Sequence, residues 1–428
     1  MPSMAKTFRE WKPEQSVMFP PTVLDLVEED DLVHFIRNLV LEQLDLSEIM
    51  DQYQEERGYP PMHPKMMTAL LLYSYCQGIY SSRRIARACK QRVDYMALTG
   101  MQKPDFRTVN LFRQRHLKSL GSLFEQVLRL CEKAGLVKLG HVALDGTRIR
   151  ANASKHKSMS YGRMKKAEQD LAAEVQGWFE EAERMDREED ELYGADRRGD
   201  ELPDWVADKQ KRLEKIRQAK AELEAEARAE AAAGPDPHKT GHKPKPTGIP
   251  EEKTQRNFTD PESRIMKSPD GFIQGYNAQA AVDASSQVIV AQLVTNNGSD
   301  THQMVPLLNQ IRKNVGRQAR EISADSAYGA ALNLKTLRRR RIRGYVAMDN
   351  QKQKNVSRWV QQMRERLGKG GHRSRYRLRK QTVEPVFGHV KSARGFRQFL
   401  LRGIRKVTGE WSLLCTAHNV LKLAAANE

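Results

Sequence analysis

Three acidic residues stand far apart in this chain of 428 residues, each in a setting that suits metal-assisted chemistry. Asp145 follows the apolar stretch "HVAL" and precedes "GTRIRANASKHK". Asp325 follows "EISA" and precedes "SAYG", and Glu384 lies in "QTVEPVFGHVK". Taken singly, each has a plainer explanation. Asp145-Gly146 reads as a turn, Asp325 as the cap of the next helix, and Glu384 as a favourable charge near a helix start. Taken together they suggest more. Parallel neighbouring strands lie ~4.8 Å apart, so two aspartates at corresponding strand ends can share one metal ion. A carboxylate arriving from a helix can hold a second. Two such ions ~3.5–4 Å apart activate the attacking oxygen and stabilise the leaving one in phosphodiester cleavage. The trio contains no His or Cys, which points to Mg²⁺, or Mn²⁺, rather than zinc.

Positive charge crowds the same segments. Arg148, Arg150, Lys155 and Lys157 follow Asp145, and "RRRRIRG" brings Arg338 and Arg339. "HRSRYRLRK" alternates Arg373, Arg375, Arg377 and Arg379, which would line one side of an extended segment and track a phosphate backbone. Lys391 shares a helix face with Glu384 and Gly388 by its i, i+4, i+7 spacing. For any single one of these cations the plain alternative is a solvated loop. The net charge of the chain is +18. Between Lys165 and Ala232 there are 21 acidic and 13 basic residues, a net −8 that leaves +26 on the rest. Such an excess suits a polyanion, because each neutralised phosphate releases counterions.

The elements that must position these groups follow from patterning. Residues 1–140 read as helical. Met67, Leu70, Leu71 and Tyr75 mark one apolar face, Ser81 or Ser82 and Asp105 serve as caps, and Arg107, Arg113 and Arg115 are left for solvent or phosphate. Short basic helices joined by tight turns suggest a helix-turn-helix-like DNA-binding unit, with a plain helical bundle as the alternative. From His141 onward the order is strand, insertion, two strands, helix, strand, helix, strand, helix, an α/β arrangement around a mixed sheet. Asp300 is placed to cap the first of these helices, and Pro385, tolerated only in a first turn, puts the start of Glu384's helix near Thr382. Residues 160–232 carry two near-heptad seams, one through Met164, Leu171 and Val175 and one through Leu213, Ile216 and Leu223, so they read as an antiparallel helical hairpin. Residues 233–256, rich in Pro, Gly and Lys, read as a flexible linker, and a metal role for its His238 and His242 is not expected. No apolar run reaches the ~20 residues of a membrane span. Four cysteines without CxxC spacing point to a reducing compartment, the cytoplasm, and away from disulfides and thiolate zinc.

The blocks "ALDGTRIRANAS", "TDPESRIMKS", "GYNAQAAVDASSQVIVAQLVTNNGSD", "ADSAYG" and "VEPVFGHVKSARGFRQFLLRG" together resemble bacterial insertion-sequence transposases of the DDE type. The resemblance implies a ribonuclease-H-like catalytic core at 141–428, behind a helical DNA-binding domain at 1–140. It makes Asp145, Asp325 and Glu384 the catalytic, metal-holding trio. It also makes Lys391 the lysine of the family's Tyr-Arg-Glu-Lys signature, while Tyr376 and Arg379 sit one residue out of that register. The implied partners are double-stranded DNA, both element ends and target, and a second copy of the chain on the nucleoid. The implied activity is cleavage followed by attack of the freed 3′-hydroxyl. Arg148, Arg150, Lys157, Arg338, Arg339, Arg373, Arg375, Arg379 and Lys391 are the expected DNA contacts. The rivals are a repressor without catalysis and a hydrolytic nuclease without strand transfer. The charged insertion departs from a minimal core of this kind, and dimer contact is its expected use.

Overall fold

A computed structural model describes residues 22–53, 61–193, 204–233, 247–268, 271–348, 357–370 and 374–427. Arg373 and the two linker histidines lie outside them. Eight strands are present among the described residues: β1 (His141–Arg150), β2 (Ser158–Ser160), β3 (Gln255–Asn257), β4 (Arg264–Ser268), β5 (Gly271–Asp283), β6 (Ile289–Thr295), β7 (Glu321–Ala324) and β8 (Arg343–Val346). Six build one mixed sheet in the order β4-β5-β1-β7-β8, with β6 also paired to β5. β1, β7 and β8 run parallel, whereas β5 is antiparallel to β1, β4 and β6. The buried runs Val142–Leu144 and Ala278–Val282 explain why β1 and β5 sit at the centre. Two positions differ from the sequence expectation. Asp145 is not in a turn, because β1 continues through it to Arg150, pairing Asp145 with Ala280 and Gly146 with Gln279. Asp300 caps no helix; the helix Met304–Val315 starts after Gln303, and the Asp300 side chain turns to the sheet instead.

The helical expectation for the N-terminal region is met by helices that include Pro64–Cys76, Ser82–Gln91, Phe106–Arg115 and Leu117–Lys133. Ser81 and Asp105 are the N-caps, and the Asp105 carboxylate accepts the Thr108 N–H at 2.6 Å. The C-terminal helix, Ile404–Ala424, packs on Leu117–Lys133, on Pro64–Cys76 and on β6, so one hydrophobic cluster runs from Val33 to Leu423. Asn419 joins that helix to the sheet edge: its side chain accepts from Ile289 N and donates to Ile289 O, both at 2.9 Å. These bonds satisfy backbone groups that β6 would otherwise leave unpaired. Arg113 is not left for solvent. It is buried, donates to Tyr80 O at 3.0 Å and to Asn110 at 3.1 Å, and its charge faces the fully buried Glu410 of the C-terminal helix. A buried carboxylate needs a cation or donors close by, and here it has both.

The insertion is a pair of long helices, Tyr161–Tyr193 and Asp204–Ala233, that pack together through their own small core of Tyr161, Met164, Leu171, Leu213, Ile216 and Leu223. Ion pairs tie its acidic surface to neighbouring cations, among them Arg256 to Glu222 at 2.6 Å and Lys220 to Glu168 at 2.6 Å. β2 and β3 pair with each other at its base, where the chain leaves and re-enters the sheet. All four cysteines are buried and free, and among the described residues no helix is long and apolar enough to cross a membrane.

Candidate active site

Strand register decides how the first two carboxylates meet. The parallel ladder pairs Ala143 with Ser323 and stops there. Two residues beyond that last pair come Asp145, still within β1, and Asp325, just past the end of β7, close enough for each to feel the other's charge. β7 ends at Ala324, and the Asp325 side chain caps the following turn by accepting the Ala327 N–H at 3.0 Å. β1 runs on to Arg150 paired only with β5, so the two acids lie where the sheet opens between β1 and β7.

Glu384 comes from the helix Leu378–Gly388, which begins a full turn earlier than its proline suggested. Pro385 lies inside that helix and offers no N–H to the carbonyl of Gln381; the Gln287 side chain donates to this oxygen instead, at 3.0 Å. Val383, Val386, Phe387 and Val390 form the buried face, as expected, and leave Glu384 46% exposed at the side chain. The early start also curls the Arg-rich segment into a short 3₁₀ turn followed by helix, so its arginines do not line one side. Arg375 pairs with Glu321 at 2.6 Å, at the far end of β7 from Asp325. Arg379 turns inward. One guanidinium nitrogen lies 2.6 Å from Asp145 Oδ2 and the other 3.3 Å from Glu384 Oε1, while Tyr376 bonds to the same side chain. The residues that sit one place out of the family signature thus reach the site.

Electrostatics reflects this crowding. Burial pushes the Asp145 carboxyl up to about 6; Asp325 pushes in the same direction and Arg379 opposes it. Asp325 is raised too, by burial and then by the nearby charge of Asp300. A carboxyl whose folded pKa exceeds its unfolded value binds more protons when folded, so its contribution to stability falls as pH rises. For Asp145 that fall spans the interval between its ordinary value near 4 and about 6. Asp145→Asn is expected to remove this part of the pH dependence, and urea unfolding at pH 4 and pH 7 measures it.

Sequence reasoning missed the polar layer beneath the acids. Asp300, itself buried, accepts from Asn277 and from Gln279, each at 2.6 Å, and Arg148 approaches its other oxygen at 3.4 Å. Tyr328, fully buried, donates to Gln279; burial and the three aspartates keep its hydroxyl protonated. The available signal was Asn277 and Gln279 alternating on one face of an otherwise apolar strand. Gly146 makes room for this layer: a Cβ there would stand 2.1 Å from Gln279 Nε2 and 2.6 Å from Asp300 Oδ1. Gly146→Ala is therefore expected to cost about 1–3 kcal/mol of stability, measured by denaturant unfolding.

The other expected contacts fall into two groups. The Arg148 charge acts on Asp325 while its side chain bonds to Gly298 O at 2.8 Å, and Lys391 Nζ lies 3.0 Å from Arg148 O. Arg150 is exposed at the end of β1, Lys157 is exposed in the turn before β2, and Arg338 and Arg339 end the helix Ala331–Arg339 on the outer side of β8. These four lie apart from the acids. Among the described residues no three His, Cys, Asp or Glu side chains are gathered closely enough to hold one metal ion. Arg379 stands between Asp145 and Glu384, whereas Asp145 and Asp325 offer the hard oxygen donors that a divalent cation takes.

Two family models match the chain. The one described as "Transposase DDE domain" covers residues 240–420, which includes Asp325 and Glu384, and the one described as "Transposase domain (DUF772)" covers residues 21–115 of the N-terminal helices. No curated protein and no solved structure matches. Together the two models cover more than half of the residues, one over N-terminal helices and the other over β3 to β8 and most of the C-terminal helix, with β1 and its Asp145 outside both, and the chain belongs to the insertion-sequence transposases of the DDE type.

Proposed function

We propose that this transposase cleaves phosphodiester bonds at the ends of its element and joins the freed 3′-hydroxyl to target DNA, using Asp145, Asp325 and Glu384. The observation that carries the proposal is the parallel register that sets Asp145 beside Asp325, with Arg379 joining Asp145 to Glu384. Three parallel strands, with Asp145 in β1 and Asp325 just past the end of β7, and the antiparallel set β4, β5 and β6 beside them, support a ribonuclease-H-like core.

Asp145 and Asp325 would hold one divalent ion, Mg²⁺ or Mn²⁺, and Glu384 a second. Such ions supply Lewis acidity to the attacking and leaving oxygens of an in-line displacement. The chain's own residues do the rest. Tyr328, Gln279 and Asn277 hold Asp300 and, through it, Arg148, so the cation beside the acids has a fixed seat for a substrate phosphate. Lys391, in the π-helical turn His389–Ala393 that follows the helix of Glu384, would add a second positive charge beside Arg148. Arg150, Lys157, Arg338, Arg339, Arg373 and Arg375 would extend the phosphate contacts along the surface.

End recognition falls to residues 1–140. The helices Ser82–Gln91 and Phe106–Arg115 pack together and flank a groove lined by Ser82, Arg83, Arg107, Thr108 and Gln114. Polar side chains and two helix N-termini facing one groove suit phosphates and base edges. Two ends must be handled together, so the working form is at least a dimer on DNA.

The test is a cleavage assay with the full chain, Mg²⁺ and a labelled duplex carrying the element's ends. Joined products lost in Asp145→Asn, with binding retained, support the proposal. Nicks without joining would make the protein a hydrolytic nuclease, and binding without nicks a repressor.

A further inference from the structure

We propose that Glu321 is a positioning residue for cleavage: through Arg375 it keeps the helix of Glu384 seated on the sheet when Arg379 gives up Asp145 to a divalent cation; this rests on the transposase reading. Glu321 opens β7, and its partner across the parallel ladder is His141, which opens β1. Asp325 and Asp145 come four residues further along the same two segments, ~13 Å of extended chain away. The pair of strands is closed at one end by Glu321 and His141 and opens at the other, between the acids.

Four elements meet at the closed end. The buried Glu321 carboxylate holds Arg375 at 2.6 Å, Arg343 of β8 at 3.1 Å and His141 Nδ1 at 3.5 Å. His141 is oriented by its other nitrogen, which lies 2.9 Å from Ser323 Oγ of β7. The contacts with Arg343, His141 and Ser323 stay within the sheet. The contact with Arg375 leaves it. Arg375 begins the 3₁₀ turn Arg375–Arg377, which packs on β7 and β8 and leads straight into the helix Leu378–Gly388 over β1 and β5.

That helix is unevenly held. Its buried side chains begin at Thr382, so Val383, Val386 and Phe387 anchor the later turns, while Leu378, Arg379, Lys380 and Gln381 of the first turn are exposed or half-buried. The first turn is tied down by the Gln287 bond to Gln381 O and by two arginines four residues apart, Arg375 on Glu321 and Arg379 on Asp145. The last of these ties conflicts with the reaction. Asp145 Oδ1 accepts the Gly146 N–H at 2.9 Å, and Oδ2 is covered by Arg379 at 2.6 Å. A divalent cation at this carboxylate repels the guanidinium and takes over its oxygen. The Glu321–Arg375 pair lies at the other end of the strands, beyond that competition. It therefore keeps the first turn in place, and Glu384 follows that turn by three residues.

Hydrogen exchange of the full chain, read by mass spectrometry at the backbone amides of residues 378–384, tests the tie with and without Mg²⁺. In wild type, Mg²⁺ should leave these amides as protected as before. In Glu321→Gln and in Arg375→Ala, Mg²⁺ should speed their exchange by about tenfold, the scale of one charge-assisted hydrogen bond to an exposed arginine. Arg375→Lys keeps the charge of a contact made through one nitrogen, so it should stay within about threefold of wild type. Single-turnover cleavage by Glu321→Gln should need about tenfold more Mg²⁺ to reach half its maximal rate. Should Glu321→Gln fail to fold, Arg375→Ala carries the test, because that side chain is exposed. Equal exchange with and without Mg²⁺ in the variants would overturn the proposal. Slow exchange in both conditions would make Arg375 a phosphate contact only, and fast exchange in both would make the pair a brace unrelated to the cation. Cleavage at element ends is scored separately, so its absence in wild type with the Mg²⁺-dependent exchange intact counts against the catalytic reading alone.

Discussion

Asp325→Asn is expected to lower cleavage at the element ends by at least about 10²–10³-fold, the scale seen when one preorganised electrostatic group is lost from an active site. End binding should change by less than about threefold. The side chain has two roles: a charge beside Asp145, and an acceptor for the Ala327 N–H at 3.0 Å. Asn keeps the acceptor and the shape and loses only the charge. Burial and Asp300 both raise the Asp325 carboxyl above its ordinary value, so the folded protein prefers it neutral. The variant should therefore be at least as stable as wild type at pH 7 without divalent ions, which separates lost chemistry from lost fold. Single-turnover cleavage of a labelled duplex, beside thermal unfolding, reads both. Cleavage within tenfold of wild type would remove Asp325 from the mechanism.

The second large effect concerns Arg379. Its guanidinium is the cation shared by Asp145 and Glu384, and its side chain and that of Asp145 are each 14% exposed. Arg379→Gln leaves Asp145 without that partner. Breaking a buried pair on one side costs ~3–5 kcal/mol, and the exposure of Glu384 trims this to about 2–4 kcal/mol. The cost depends on pH with a definite sign. Asp145, already pushed up to about 6, rises further in the variant, so below that pH it is protonated and little is lost. Above it the deficit appears in full. Thermal unfolding at pH 5 and pH 8 is expected to show a small gap between variant and wild type at the lower pH and a large one at the higher. Mg²⁺ should then stabilise the variant more than the wild type, because the guanidinium no longer competes for the same oxygens. Equal gaps at the two pH values, with equal stabilisation by Mg²⁺, would show that Arg379 does not hold these acids.

Much of this molecule was legible in its residues. The strands around Val142–Leu144, Ala278–Val282 and Ile322–Ala324, and the face Val383, Val386, Phe387 and Val390, follow from apolar patterning, which is local and survives any tertiary arrangement. The hairpin seams and the caps Ser81 and Asp105 were readable for the same reason. Patterning misled where a distant partner intervened. Pro385 ends up inside its helix because Gln287 supplies the missing donor, from a loop nearly a hundred residues away in sequence. Arg113 is buried because Glu410 awaits it, and Asp300 leaves its expected cap for Asn277 and Gln279.

The sequence by itself determined which carboxylates carry chemistry-bearing contexts, which stretches are strand and helix, and that the surface would be strongly basic. Only the tertiary structure decided that Asp145 lies within its strand, that parallel register sets it beside Asp325, and that Arg379 rather than open space separates it from Glu384. The physical reason is that propensity and periodicity act over a few neighbours. Register, burial and charge compensation depend on groups that only the folded chain brings together.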